Sequence, residues 1–220
     1  MLLTNTARDA VSEALATVLK ALGNPTRLEL IELLAQGERS VEAIATAKGL
    51  SLSTVSAHLQ TLKRVGLVST RRDRTTIFYR LAGDDVAELY AVATRVGLRH
   101  SPALRDTVTA FLEPDAPDRE PTIAAAAVTA AMTVLDVRPR AEFDAGHFPG
   151  AISIPMAELL ARRAELPAGS PVVVYCRGEL CRDARDAARL LRDNGFQAVA
   201  MDDGVIEWRA NKVVDLDASA

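Results

Sequence analysis

The chain has 220 residues, 49% hydrophobic and 25% charged, which is the balance of a globular protein with ample length for a buried core. No apolar run approaches the ~20 residues that a membrane helix needs, and the N-terminus lacks a secretory signal pattern. The expected setting is the cytoplasm, with no membrane partner. The formal net charge of −3 hides an asymmetry: residues 1–100 carry 13 Lys and Arg against 10 Asp and Glu, whereas residues 101–220 carry 13 against 19. A mildly basic half beside an acidic half points to two domains with different partners, nucleic acid among them for the first.

Residues 6–22 read as a helix with a wide apolar stripe of Ala10, Val11, Ala14, Leu15, Val18, Leu19 and Leu22. Gly23-Asn-Pro-Thr26 interrupts it, and Pro25 suits the first turn of a second helix that carries Leu28, Leu30, Ile31, Leu33 and Leu34 and ends near Gln36-Gly37. A third, short helix follows Ser40 and closes at Gly49.

After the break at Lys48-Gly-Leu-Ser51, Val55, Leu59 and Leu62 fall at i, i+4 and i+7 and face a core. The rest of that helix is small or hydrogen-bonding: Ser53, Thr54, Ser56, Ala57, His58 and Gln60, with Ser51 just before it and Lys63 further on. A helix meant only for solvent carries Glu and Lys pairs. Short hydroxyl and amide side chains at a helix start suit insertion into the major groove, and the short break between helices fits a helix-turn-helix. Leu67 to Leu81 then switches to strand patterning, two β-prone runs around a polar turn holding Arg71, Arg72 and Arg74. A hairpin with a basic tip in that position is either a wing that touches phosphates or an ordinary solvated hairpin.

Leu22-Gly-Asn-Pro-Thr-Arg-Leu-Glu-Leu-Ile-Glu-Leu-Leu34, Leu52-Ser-Thr-Val-Ser-Ala-His-Leu59, and Gly66-Leu-Val followed by the Arg-rich hairpin ending Phe78-Tyr-Arg-Leu81 resemble the ArsR/SmtB family of dimeric bacterial winged-helix repressors, over about residues 8–98. The resemblance implies a homodimer on double-stranded operator DNA, paired through the stripes of residues 6–22 and 84–98 (Val86, Leu89, Tyr90, Ala93, Val96). The contacts it implies are Ser51, Ser53, Thr54, Ser56, Ala57, His58, Gln60 and Lys63 from the helix, with Arg71, Arg72 and Arg74 on phosphates. The chain departs from the family in one respect: where many members have cysteines before the recognition helix, it reads Glu38-Arg-Ser-Val-Glu42. With no thiol in residues 1–175 and with His58, His100 and His147 scattered, no metal site and no cofactor is expected.

A short helical piece from Leu104 to Leu112 leads into the proline-rich acidic run Glu113 to Pro121, so residues 1–99 read as one domain, 100–121 as a linker and 122–220 as a second domain. Ile123 to Met132 is Ala-rich and expected to be helical. Val134 to Pro155 holds a strand, a polar helical turn, a Gly/Pro turn and a second short strand; strands at 172–175 and 198–201 and a helix from 182 follow. That alternation predicts a parallel sheet covered by helices. The fold expected of the whole chain is therefore multidomain: a mostly α winged helix-turn-helix with a β-hairpin wing, then an α/β domain.

The two cysteines of the chain share one loop, Val172-Val-Val-Tyr-Cys-Arg-Gly-Glu-Leu-Cys-Arg182. Cys176 stands where an apolar strand ends and a helix is about to begin, beside unpaired N–H groups at the positive end of the helix dipole, with Arg177 and Arg182 close by; all three favour the nucleophilic thiolate. A free cysteine can also simply fill core, which suits a junction with a charged loop poorly. Cys181 either resolves an oxidised Cys176 into a disulfide or stands by at the helix start.

Asp136-Val-Arg138, Glu142-Phe143, Gly146-His-Phe-Pro-Gly-Ala151 and Cys176-Arg-Gly178 resemble a rhodanese-like domain over residues 121–214, in which His147 and Trp208 read as structural. The loop departs from the usual four residues between Cys and Arg: it is Cys-x5-Arg, the spacing of related phosphatases and arsenate reductases, while Cys-Arg-Gly-x-x-Cys looks like rhodanese domains fused behind ArsR-type repressors. Glu179 would repel a tetrahedral dianion, so sulfur chemistry is favoured over oxyanion chemistry. The expected site is the loop Arg177, Gly178, Glu179, Leu180, Cys181 and Arg182 with Cys176 as nucleophile, and the expected ligand is a small sulfur-containing anion such as thiosulfate, a persulfide or polysulfide. Three functions stay open: a repressor controlled by sulfane sulfur, a sulfurtransferase with an autoregulatory DNA-binding domain, and an arsenate reductase or phosphatase.

Overall fold

A computed structural model of the chain describes residues 2–112 and 121–218. It divides into two compact units, Met1–Val86 and Ala87–Ala220. Of the proline-rich connector expected at 113–121, residues 113–120 lie outside the described part.

The first unit opens with α1 (Leu2–Leu22) and α2 (Pro25–Ala35). Asn24 caps α2 by accepting the Arg27 N–H, and Pro25 occupies the first turn, where no N–H is missed. Ser40 caps α3 (Val41–Lys48) through the Ala43 N–H, and Gly49 ends it in the left-handed conformation, φ 64°, which glycine adopts without a Cβ penalty. Ser51 then caps α4 (Leu52–Arg64) through the Thr54 N–H. Val55, Leu59 and Leu62 are fully buried, as are Leu30 and Ile31 of α2 and Ile44 of α3, so the helix-turn-helix follows from cap residues and an i, i+4, i+7 stripe.

The hairpin is β2 (Val68–Asp73) and β3 (Thr76–Leu81), paired antiparallel from Val68↔Leu81 to Asp73↔Thr76. Two details differ from expectation. Arg71 and Arg72 belong to β2, because the ladder runs to Asp73, and only Arg74 sits in the turn, at φ 54°. A two-residue strand, β1 (Arg39–Ser40), also pairs with Tyr79 and Phe78, making the sheet three-stranded in the order β1-β3-β2.

Helices α5 (Asp84–His100) and α6 (Pro102–Leu112) follow. The second unit's sheet has five strands, β4 (Thr122–Ile123), β5 (Thr133–Asp136), β6 (Ile152–Ser153), β7 (Val172–Tyr175) and β8 (Ala198–Met201), in the order β4-β8-β7-β5-β6. Every pairing is parallel. Central β7 is fully buried, which is why it reads as an unbroken β-branched run. Its residues alternate between faces: Val172 and Val174 pack with Leu159 and with Ala184, Ala187 and Leu191 of α9 (Asp183–Asp193). Val173 and Tyr175 pack with Val205 and Trp208 of α10 (Val205–Asn211).

The expected helix over Ile123–Met132 does not form. Thr122 and Ile123 pair with Ala200 and Met201 as an edge strand, and only Ala125–Ala127 makes a single 3-10 turn. Alanine propensity is a weak prior that sheet pairing overrides. Between β6 and β7 lies α8 (Leu159–Arg162), flanked by 3-10 turns, which the sequence pattern did not suggest. Opposite it in sequence, α7 (Arg140–Ala145) is the polar helical turn expected after β5.

Candidate functional site

At the start of α4 the hydroxyls of Ser51, Ser53 and Thr54 form an exposed cluster: Ser51 Oγ lies 2.9 Å from Ser53 Oγ and 2.8 Å from Thr54 Oγ1. Ala57 and Gln60 are exposed, Ser56 and His58 half-buried. Two of the expected contact residues are engaged with the hairpin: Gln60 Nε2 donates to the Tyr79 hydroxyl at 2.9 Å, and Lys63 Nζ to Thr70 Oγ1 at 3.0 Å. Arg71 is engaged as well. It grips Glu38 through Nε and Nη2, the closer contact at 2.5 Å, and lies over the Phe78 ring. That hydrogen bond holds the Glu38 carboxyl below its ordinary range. Arg72 donates to the Arg74 carbonyl at 2.9 Å, and the Arg72 and Arg74 side chains are exposed at the tip.

The loop from β7 to α9 carries both cysteines. Cys176, at the carboxyl end of β7, is 3% exposed, and Cys181 is half-buried. They are joined as a disulfide, with Cα atoms 6.2 Å apart. The loop is tight: Cys181 N–H donates to Gly178 O at 2.9 Å, and Ile206 N–H to Arg177 O at 3.1 Å. Two glycines are required by close approach. A Cβ on Gly204 would stand 2.5 Å from the Cys176 carbonyl oxygen, and one on Gly178 would stand 2.6 Å from Ile206 Cγ2.

The two arginines expected to attract an anion are held in ion pairs. Arg177 binds the buried Glu142 of α7 at 2.6 Å, and Arg182 Nε stands 2.8 Å from Asp186. Their charge at the loop is therefore largely compensated, and the remaining electrostatic help for a thiolate at Cys176 is the start of α9. Glu179 and Leu180 are half-buried. Burial raises the Glu179 carboxyl pKa, against the pull of Arg185 and Arg95.

Below the loop lies a buried network that sequence reading met only as part of a motif. Asp136 ends β5 and accepts the Arg138 guanidinium at 2.5 Å, the Arg138 backbone N–H at 2.8 Å and the Tyr175 hydroxyl at 2.6 Å. Arg138 also donates to Gly146 O, and Tyr175 Oη accepts the Phe148 N–H. Burial, with the Asp136 charge beside it, pushes the Tyr175 phenol well above its ordinary pKa. The network fixes the ends of the two strands on which the loop is mounted. His147 stacks on Phe143 with centroids 3.7 Å apart and shares Nδ1 with the Phe143 carbonyl, the structural place expected of it, as Trp208 takes its place in the core.

Comparison with known proteins matches residues 24–70 to the family described as bacterial regulatory protein, arsR family, and residues 121–211 to the rhodanese-like domain. An HTH-type transcriptional regulator of Mycobacterium tuberculosis is 46% identical over 204 residues, 91% of this chain and 89% of that protein. The chain belongs to the ArsR family of transcriptional regulators. Within that family it carries a C-terminal rhodanese-like domain, and it is a DNA-binding regulator. The nodulation protein NolR of Rhizobium meliloti is 42% identical over 78 residues, 36% of this chain and 64% of that one. A solution structure from Mycobacterium bovis, a homodimeric winged helix-turn-helix domain of a "possible ArsR-family transcriptional regulator", is 51% identical, with a TM-score of 0.41 over 44% of this chain and 89% of that chain. The arsR-family match spans α2 to the first half of β2, and the rhodanese-like match spans the whole five-stranded sheet and both cysteines of the regulator. Among its described residues no helix is long and apolar enough to cross a membrane.

Proposed function

We propose that this regulator is a cytoplasmic homodimeric repressor, with residues 1–99 for DNA binding and dimerisation, whose cysteine loop reports on sulfane sulfur. The observation that carries the reading is the pairing of Cys176 with Cys181 in one short loop between β7 and α9. The Cys176 thiolate attacks the outer sulfur of a donor such as thiosulfate, whose S–S bond breaks and releases sulfite, and Cys176 becomes a persulfide. The Cys181 thiolate then attacks the Cys176 sulfur and expels hydrosulfide, leaving the disulfide; the two thiols are oxidised and the transferred sulfur is reduced to sulfide. Loop shape and charge differ between dithiol and disulfide, which biases a two-state dimer.

Dimerisation is supported by apolar side chains left in solvent on α1, where Val11, Leu15 and Leu19 recur every four residues at 49–69% exposure, and by exposed Val96 on α5. A stripe of that kind marks a protein–protein surface. In the DNA contact, the α4 hydroxyl cluster and His58 read bases while Arg72 and Arg74 touch phosphates; Gln60, Lys63 and Arg71 brace the hairpin against α4 and the Glu38 segment. Arg72→Ala should weaken binding about evenly across sequences and flatten the slope of log affinity against log salt by about 1. An unchanged slope removes Arg72 from the footprint.

The deciding experiment is a gel shift on the regulator's own promoter with and without polysulfide, for the full chain and for Cys176→Ser and Cys181→Ser. Polysulfide should change the affinity of the unaltered chain roughly tenfold or more, within the usual span of allosteric coupling, and leave Cys176→Ser unmoved. Equal affinity in every condition rejects sensing. In that outcome, thiosulfate turnover that needs Cys176 identifies the loop as a sulfurtransferase site instead.

A further inference from the structure

The underside of the cysteine loop is built on Glu207, a residue of α10 that the sulfur chemistry leaves unused. Its carboxyl accepts the Gly204 N–H at 2.9 Å, closing the cap of its own helix, and also the backbone N–H of Glu179 in the loop. The preceding residue, Ile206, gives its N–H to the Arg177 carbonyl. Between those two anchors lies Gly178, so near that a Cβ on it would stand 3.0 Å from either Glu207 oxygen. Three consecutive loop residues, 177 to 179, therefore rest on two consecutive residues of α10. The charged groups that share a concavity with Glu207 are Glu179 from the loop and Glu88 and Arg95 from α5. Burial lifts the Glu207 carboxyl to about 8, with the Glu179 charge adding to the rise and the N–H donors opposing it.

We propose that Glu207 is the positioning residue of the cysteine pair: by holding Gly178 and Glu179 from below, its carboxyl sets how readily Cys176 and Cys181 close into a disulfide. The inference rests on the reading that this pair cycles between dithiol and disulfide. Glu207 acts through the loop backbone, whose turn places Cys181 against Cys176.

The sign of the pH dependence follows from burial. In the closed loop the carboxyl is shielded and keeps its proton up to about 8; once the loop opens and water reaches it, it returns toward its ordinary value of 4.5. The closed form therefore binds that proton more tightly. Its advantage is complete below the ordinary value and is lost progressively as pH rises toward 8.

The test uses the full chain equilibrated in glutathione redox buffers from pH 5 to 8, with the disulfide fraction read by alkylation and mass, for the unaltered protein, Glu207→Gln and Glu207→Ala. The titration of the thiols is common to all three, so the ratio of exchange constants isolates Glu207. Relative to Glu207→Gln, closure of the unaltered loop should weaken at least roughly tenfold between pH 5 and pH 8. Glu207→Ala should also close less readily at pH 5, having lost both acceptors. Far-UV circular dichroism and Trp208 fluorescence establish that each variant is folded. A ratio independent of pH in folded variants overturns the proposal, as does a pair that closes in no buffer. The two readings fail separately: if polysulfide leaves DNA affinity unchanged while the pH-dependent ratio is present, sensing is lost and the positioning role stands.

Discussion

Asp136→Ala is expected to cost the second unit about 3–5 kcal/mol, the usual result of deleting one partner of a buried ion pair. Asp136 and Arg138 are both fully buried, 0% and 1% exposed, and the carboxylate accepts from the guanidinium, from a backbone N–H and from the Tyr175 hydroxyl. Its removal takes the counter-charge from a buried cation and the acceptor from a buried phenol at once, leaving Arg138 with the Gly146 carbonyl but without this carboxylate against its charge. Asp136→Asn, which keeps the acceptor oxygen and the shape but not the charge, should fall between the two. Urea unfolding followed by Trp208 reads the change cleanly, because that residue is the only tryptophan, is fully buried and lies 4.9 Å from Tyr175. A loss below about 1 kcal/mol, the net worth of an ordinary hydrogen bond, would mean that the pair is not the keystone of this sheet end.

The second large effect falls in the other unit. Leu59→Ala removes a fully buried side chain from the inner face of α4 and should destabilise that unit by about 2–5 kcal/mol through lost burial and the cavity left behind. The exposed face of the same helix carries the Ser51, Ser53 and Thr54 cluster, so affinity for promoter DNA should drop with the helix's hold on its own core. Trp208 fluorescence should report an unaltered unfolding transition for the rhodanese-like unit. DNA binding at full strength would show that α4 keeps its pose without this contact.

The parts of the fold written in local chemistry were legible in the sequence. Ser40, Gly49 and Ser51 mark the bounds of α3 and α4 within a residue because each makes a contact with its immediate neighbours. β7 announced itself because a strand covered on both faces needs nothing but apolar residues. Where the outcome hangs on partners distant in the chain, the reading falls short. Arg39 and Ser40 became a strand only because β3 offered an edge, and Ile123 was drawn from an alanine-rich run to the edge of β8. In the cysteine loop the same limit decides the electrostatics. Arg177 reads as a free cation until Glu142, 35 positions earlier, is seen against it. Arg182 and Asp186, by contrast, are four apart on one helix, and that pairing could have been anticipated from spacing alone. Glu207 carries no mark in the sequence at all, since its importance comes from Gly178 and Glu179 being folded onto it.

The hairpin of the first unit is bound along both of its strands. β3 is laddered to β1 on its far side, Arg71 on β2 clasps Glu38, and Lys63 and Gln60 of α4 reach across to Thr70 and Tyr79. Helix and hairpin are therefore braced as a single reading head, and in the dimer proposed above the distance between two half-sites is governed by how one copy is seated against the other. In that proposal, release from the operator comes from a change in the spacing of the heads rather than from a hairpin swinging away from α4, because each of its strands is tied to the rest of the unit.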